Sequence, residues 1–212
     1  QPRIGRRFGP ITRAGTSHAP AIAPARLDGS TSLHRADVDH PVVQIYLPAP
    51  AWGSADEAVH DMVIADLAGE LNRLERDRDW VLDTAVGYAG DGERRATVVS
   101  VAVKDPDHLQ PAIDEVFRRG RDLFQDDDHD GHAGDNDDRD DRDVLRLIGA
   151  MRGRLQTETV TRLDAIAGRG DWLADYMTYT DEHAFAVGRL RAVDAITAQA
   201  LVDHATSLFD PE

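Results

Sequence analysis

The sequence predicts an α+β fold, a mostly antiparallel sheet covered on one face by helices. Three observations lead there. Thr97–Val103 reads Thr-Val-Val-Ser-Val-Ala-Val, a β-branched run that stops at Lys104, Asp105 and Pro106. The segment after Ser54 places Val59, Val63, Leu67, Leu71 and Leu74 on one helical stripe. Strand-like segments come in adjacent pairs and the helical ones gather behind them, the order that fits helices packed on one side of an antiparallel sheet.

In chain order, residues 1–29 read as a flexible arm or linker. Pro2, Pro10, Pro20 and Pro24 alternate with glycines and no period is visible. Its residues 1–27 carry no acid but have Arg3, Arg6, Arg7, Arg13 and Arg26. Residues 30–212 form the folded part. Strands are expected at 30–35 and 41–47, the second stopping at Pro48 and Pro50. Ser54 with Glu57 three residues on is a capping box for the first long helix. Strands at 81–89 and 96–103 flank a turn at Gly90, Asp91 and Gly92. Asp107 then caps a helix whose stripe is Leu109, Ile113, Val116, Phe117 and Phe124.

Residues 126–143 hold ten Asp against Arg139 and Arg142, a net of −8, and read as a disordered acidic insertion. A long helix resumes with Val144, Ile148, Met151 and Leu155, continues through Leu163 and Ile166, and stops at Gly168 and Gly170. Helices are expected at 171–178 and 197–209, the last capped by Thr197 and buried along Leu201, His204 or Ala205, and Leu208.

Composition removes several function classes. The absence of Cys excludes disulfides, thiolate zinc sites and a thiol nucleophile, and fits a cytoplasmic protein. No apolar run reaches membrane-spanning length, so no membrane partner is expected. The acidic balance, −15 overall, gives no basic face for nucleic acid. Nucleotide-binding glycine motifs and a G-x-S-x-G elbow are missing as well.

Some side chains still invite chemistry. Asp126, Asp128, Asp130 and Gly131, with Asp137 at the twelfth position, match a calcium-loop spacing, but an Asp-rich run meets that spacing by chance and the twelfth ligand should be Glu. His129 and His132 could join a weak divalent-metal site there. The scattered His18, His34, His40, His60, His108, His183 and His204 read as ordinary surface or core histidines. Trp52, in a Pro/Gly turn, is the tryptophan expected to be exposed, and Trp80 and Trp172 are expected in the core. No catalytic, cofactor-binding or metal-binding residue is assigned.

The local patterns from about residue 38 to 209 resemble one half of a pitrilysin or mitochondrial-processing-peptidase subunit. Val42-Val43-Gln44-Ile45-Tyr46-Leu47-Pro48-Ala49-Pro50 is similar to that family's strand ending in P-x-P. Ser54-Ala55-Asp56-Glu57-Ala58 looks like its acidic helix cap, and Leu71-Asn72-Arg73-Leu74 like its S-R-L segment. Ala192–Leu201 resembles its closing helix entry.

The family's H-x-x-E-H zinc helix is absent. The nearest string, Tyr179-Thr180-Asp181-Glu182-His183, lacks the first His and falls far from the first helix. The Arg and Tyr with which non-catalytic halves grip substrate align with Glu75 and Leu82. Arg76, Arg78 and Tyr88 lie nearby at the wrong spacing.

The resemblance therefore implies a zinc-free half or companion subunit of a zinc peptidase. It would bind no cofactor itself, partner a homologous half that carries zinc, and help hold a peptide. A non-enzymatic interaction module on the same fold is the second reading. A metal-dependent enzyme built on the Asp/His run is the third.

Overall fold

The computed structural model describes Gly29 and residues 31–34, 38–90, 95–124, 137–165, 167–171, 174 and 185–210. The elements are β1 (Val42–Pro48), α1 (Glu57–Asp77), β2 (Val81–Ala89), β3 (Ala96–Val103), a 3₁₀ turn (Pro106–His108), α2 (Leu109–Asp122), α3 (Asp137–Asp164), α4 (Phe185–Ala195) and α5 (Ala198–Phe209).

The sheet order is β1-β3-β2, antiparallel at both junctions. β1 and β2 thus point the same way with β3 between them and α1 as the crossover, a split βαβ unit. Val103 N–H donates to the Pro41 carbonyl at 2.9 Å and Lys104 N–H to the Trp80 carbonyl at 3.0 Å. The strand alternation then sends the backbone of odd-numbered β3 residues toward β1 and of even-numbered ones toward β2.

Side chains alternate with the same period. Val99, Val101 and Val103 are fully buried under the helices, and Val43 and Leu47 of β1 join them. Val98, Ser100 and Ala102 face the other way and are only half-buried, beside Val42 and Tyr46, which are 48% and 49% exposed. The helices therefore cover one face of the sheet, as the sequence predicts.

Met62, Val63, Leu67, Leu71 and Leu74 of α1 supply the central layer of the core. α2 is tied to α1 through the mostly buried Arg119, which donates to the Glu70 carbonyl at 3.1 Å and to Asp77 at 3.0 Å. α5 closes the core with Leu201, Ala205 and Phe209. The Phe209 ring lies against Gly120 of α2, where a Cβ would meet ring carbons at 2.5 Å, and packs edge-on to Phe117.

Several expectations change. Residues 31–34 are not a strand; their only ordering is an exposed bond between Ser32 and His34. The capping box does not form. The Ser54 hydroxyl is buried without a partner, and Asp56 precedes the helix without a side-chain cap. Glu57 instead reaches back to the Gly53 N–H at 2.8 Å, because Gly53 turns the chain with φ +72° and brings that N–H over the helix start.

Asp107 does not cap α2. Asp105 accepts its N–H at 3.1 Å and starts the 3₁₀ turn, since Pro106 fits a first-turn position. Residues 137–143 of the acidic insertion are helical and open α3. Gly168 and Gly170 do not stop that helix, which ends at Asp164, where the Arg169 guanidinium takes the Leu163 carbonyl at 2.7 Å; residues 167–171 form a further helical turn. α4 was not foreseen, since its Ala-rich stretch with an internal glycine carries little periodic signal.

Residues 1–28, 30, 35–37, 91–94, 125–136, 166, 172, 173, 175–184, 211 and 212 lie outside the described residues. They include Asp126, Asp128, His129, Asp130, Gly131 and His132, the Tyr179–His183 string, and Trp172.

Gly120→Ala should destabilise the fold by about 1–3 kcal/mol in urea unfolding, although alanine is the better helix former, because its methyl group overpacks against Phe209. Adding Phe209→Leu should recover part of that loss.

Candidate functional site

A buried group of ionisable side chains sits on the first two turns of α1. Glu57, His60 and Asp61 stand at i, i+3 and i+4, so all three project from neighbouring positions on the helix. They then diverge into two clusters.

The first is ionic. Glu57 is 4% exposed and Arg95, just before β3, is 6% exposed, so neither charge is tolerable alone. Arg95 lies 3.5 Å from Glu57 and 3.4 Å from Asp61. Arg189 of α4 reaches the same two carboxylates at 3.2 and 2.5 Å. Two carboxylates thus face two guanidiniums, and the group is formally neutral.

Tyr88 of β2 donates its hydroxyl to Asp61 at 2.5 Å. Burial, then the Asp61 charge, pushes the Tyr88 phenol well above its usual value and keeps it a donor. The Arg95 guanidinium lies 3.6 Å from the Tyr88 ring centre and 4.6 Å from that of Trp52, a cation sandwiched between aromatic faces. A cavity of about 310 Å³ opens beside this group and is walled on the α3 side by Leu155, Glu158 and Arg162.

The second cluster is neutral. His60 is fully buried, with Nδ1 2.9 Å from Nε2 of His204 on α5 and Nε2 2.7 Å from the Thr97 hydroxyl on β3. Burial, then the neighbouring His204, lowers the His60 pKa to about 4, and burial lowers that of His204. Both imidazoles are neutral at pH 7, and one ring donates its N–H to the other's lone pair.

This arrangement fastens elements together. A zinc ion does not fit the donor set, because the two carboxylates are satisfied by guanidiniums and the imidazole between them points to His204 and Thr97. Among the described residues, no three His, Asp or Glu side chains are grouped to hold a metal ion. Glu75 and Leu82, which stand where a substrate-gripping Arg and Tyr were expected, have other surroundings. The Glu75 carboxylate accepts from the Thr84 N–H at 2.7 Å and from its hydroxyl at 2.6 Å, and Leu82 is an exposed position on β2.

The remaining predicted residues are dispersed. Trp80 is half-buried and stacks on His108 at 5.0 Å, while Trp52 is half-buried rather than open, because Arg95 covers its ring. His34 and His40 are exposed. The sequence reading missed the cluster although a signal existed: an acid, an imidazole and an acid at i, i+3 and i+4 where a helix meets its strand. Arg95 and Arg189 carried no signal, since only the tertiary fold brings them to α1.

No family model matches the sequence, and no curated protein matches it. Solved structures do match in fold. The inactive peptidase domain of a proposed zinc protease from Bordetella parapertussis aligns with TM-score 0.61 at 12% identity, over 84% of this chain and 88% of that one. A protease from Helicobacter pylori aligns with TM-score 0.60 at 12% identity, over 84% of this chain and 40% of that one. A predicted insulinase family protease from Yersinia pestis aligns with TM-score 0.51 at 12% identity, over 98% of this chain and 46% of that one. The chain therefore has the half-domain fold of pitrilysin/insulinase-type zinc proteases, without their zinc motif. It spans less than half the length of the last two chains.

Arg95→Ala should cost about 3–5 kcal/mol in urea unfolding at pH 7, because it strands buried carboxylate charge. The pair Arg95→Ala/Glu57→Gln should lose less than the sum of its single variants. Acid should also weaken the fold through His60. The unfolded imidazole titrates near 6.5 and the folded one near 4. Its stability contribution is therefore complete above pH 6.5 and is lost as pH falls toward 4, by about 3 kcal/mol at most. Urea midpoints for wild type and His60→Asn across that window would measure it; the variant should lack this part of the slope.

Proposed function

We propose that this chain, carrying the half-domain fold of insulinase-type zinc proteases, is the zinc-free half or companion subunit of such a peptidase. It helps enclose a peptide while a homologous half supplies zinc and the water-activating carboxylate. The observation that carries this reading is the commitment of Glu57, His60 and Asp61 to internal partners on the first helix, within a fold similar to a domain itself described as inactive.

In this reading the chain's part is to bind and orient. A peptide would add as a strand to a sheet edge, held by backbone hydrogen bonds. The two edges differ. On β2, Glu75 already takes the edge-facing Thr84 N–H. On β1, the alternation leaves the backbone groups of Val42, Gln44 and Tyr46 pointing away from β3, and no described residue pairs with them. Val42 and Tyr46 also expose apolar surface on either side of Gln44. Residues 1–29 would serve as the linker between halves, and a cytoplasmic setting accords with the lack of cysteine.

A non-enzymatic interaction module would use the same β1 edge, so the test must read cleavage as well as binding. This chain is captured at native expression and the co-purifying subunit is assayed for zinc-dependent peptide cleavage with and without it. The expected result is cleavage that requires both chains; cleavage unchanged by this chain would contradict the proposal. Gln44→Pro removes an edge N–H that the sheet does not use, so it should leave the fold intact while weakening peptide binding by roughly tenfold.

A further inference from the structure

We infer that the His60–His204 pair is an acid-released latch for α5: when both imidazoles carry a proton, α5 separates from α1 while the sheet stays folded. The argument begins with what holds α5. Its apolar side chains Leu201, Ala205 and Phe209 pack on the core, and among the described residues His204 makes its one side-chain hydrogen bond to α1. α5 is a twelve-residue helix with no strand ladder to brace it, and a helix of that length depends on its packing.

The donors and acceptors explain why two protons are needed. The first proton is tolerated. A charged His204 donates Nε2–H to the His60 Nδ1 lone pair, and His60 gives its Nε2–H to the Thr97 hydroxyl. The second proton places an N–H on each side of a 2.9 Å contact, so neither can accept. Asp61 attracts a charged His60, but burial and the facing His204 outweigh that attraction. Asp61, its neighbour on α1, is already bound by Arg95, Arg189 and Tyr88. Arg95 repels a charged His60, and the Tyr88 ring, 6.0 Å away, is occupied by Arg95. Asp56, before α1, favours the charged form of His204, which therefore protonates first.

The ion cluster and the histidine pair thus adjoin: Asp61 binds Arg95, Arg189 and Tyr88, and no hydrogen bond joins it to His60 among the described residues. Release would bare Leu201 and Phe209 together with the surface that Phe209 covers around Gly120. This inference does not rest on the peptidase reading.

The test is amide hydrogen exchange of the full chain, read segment by segment and corrected for the intrinsic effect of pH. Between pH 7 and about pH 4.5, α5 should lose at least about tenfold in protection, with a two-proton dependence, while β3 keeps its own. In His204→Gln, whose amide can still bond to His60 but does not titrate, α5 protection should stay level. Protection of α5 that falls only together with β3, or an equal loss in His204→Gln, would overturn the latch. Should that variant fold poorly, the imidazole nitrogen signals of the wild type decide. Charging of His60 should coincide with α5 opening, and charging of His60 under a still-protected α5 would overturn it.

Discussion

Two guanidiniums lie against two carboxylates at the start of α1, and much of the molecule's arrangement depends on that pairing. Glu57 and Asp61 project from adjacent turns into a site closed by β2, β3 and α4. Without Arg95 and Arg189 their desolvation would oppose folding. The pairing also settles what the site can do. Carboxylates satisfied in this way do not activate water or coordinate an ion without first giving up a buried partner.

The same helix divides its duties around its axis. One stripe, Met62, Val63, Leu67, Leu71 and Leu74, is apolar and meets the β3 valines. At the amino-terminal end His60 continues this stripe, seven residues before Leu67, and the two acids border it. The imidazole joins α5 to β3 through Thr97, so helix, sheet and the last described helix meet at one fully buried ring. Elsewhere, single arginines span elements. Arg119 binds α2 to the carbonyl end of α1, Arg152 of α3 donates to the Ile196 carbonyl between α4 and α5, and Arg169 finishes α3. In a chain with almost no lysine, the planar guanidinium serves as the general tie between helices.

The strands and the long helices were legible because their signals are local. Val99, Val101 and Val103 alternate with Val98, Ser100 and Ala102, and the α1 stripe has a helical period. Thr197 was read correctly as a cap, since its hydroxyl accepts the Ala200 N–H. Ser54 and Asp107 were misread because their spacing fits a cap, while Gly53 turns its own N–H toward Glu57 and Pro106 opens a 3₁₀ turn that Asp105 caps. The site was the least legible part. Arg95 is separated from Glu57 by 38 residues and Arg189 by 132, and no pattern in the sequence links guanidiniums to acids over such distances. His204 was a candidate for the α5 stripe, but its partner could be found only in three dimensions.

The central claim is that the acids and the imidazole of α1 are spent on the protein's own arginines and histidine. Equilibrium dialysis of purified protein against micromolar zinc tests it most directly, with metal content measured for wild type and for Glu57→Gln. The account predicts no stoichiometric ion in either protein. One tightly held zinc per chain in the wild type, lost in Glu57→Gln, would contradict it.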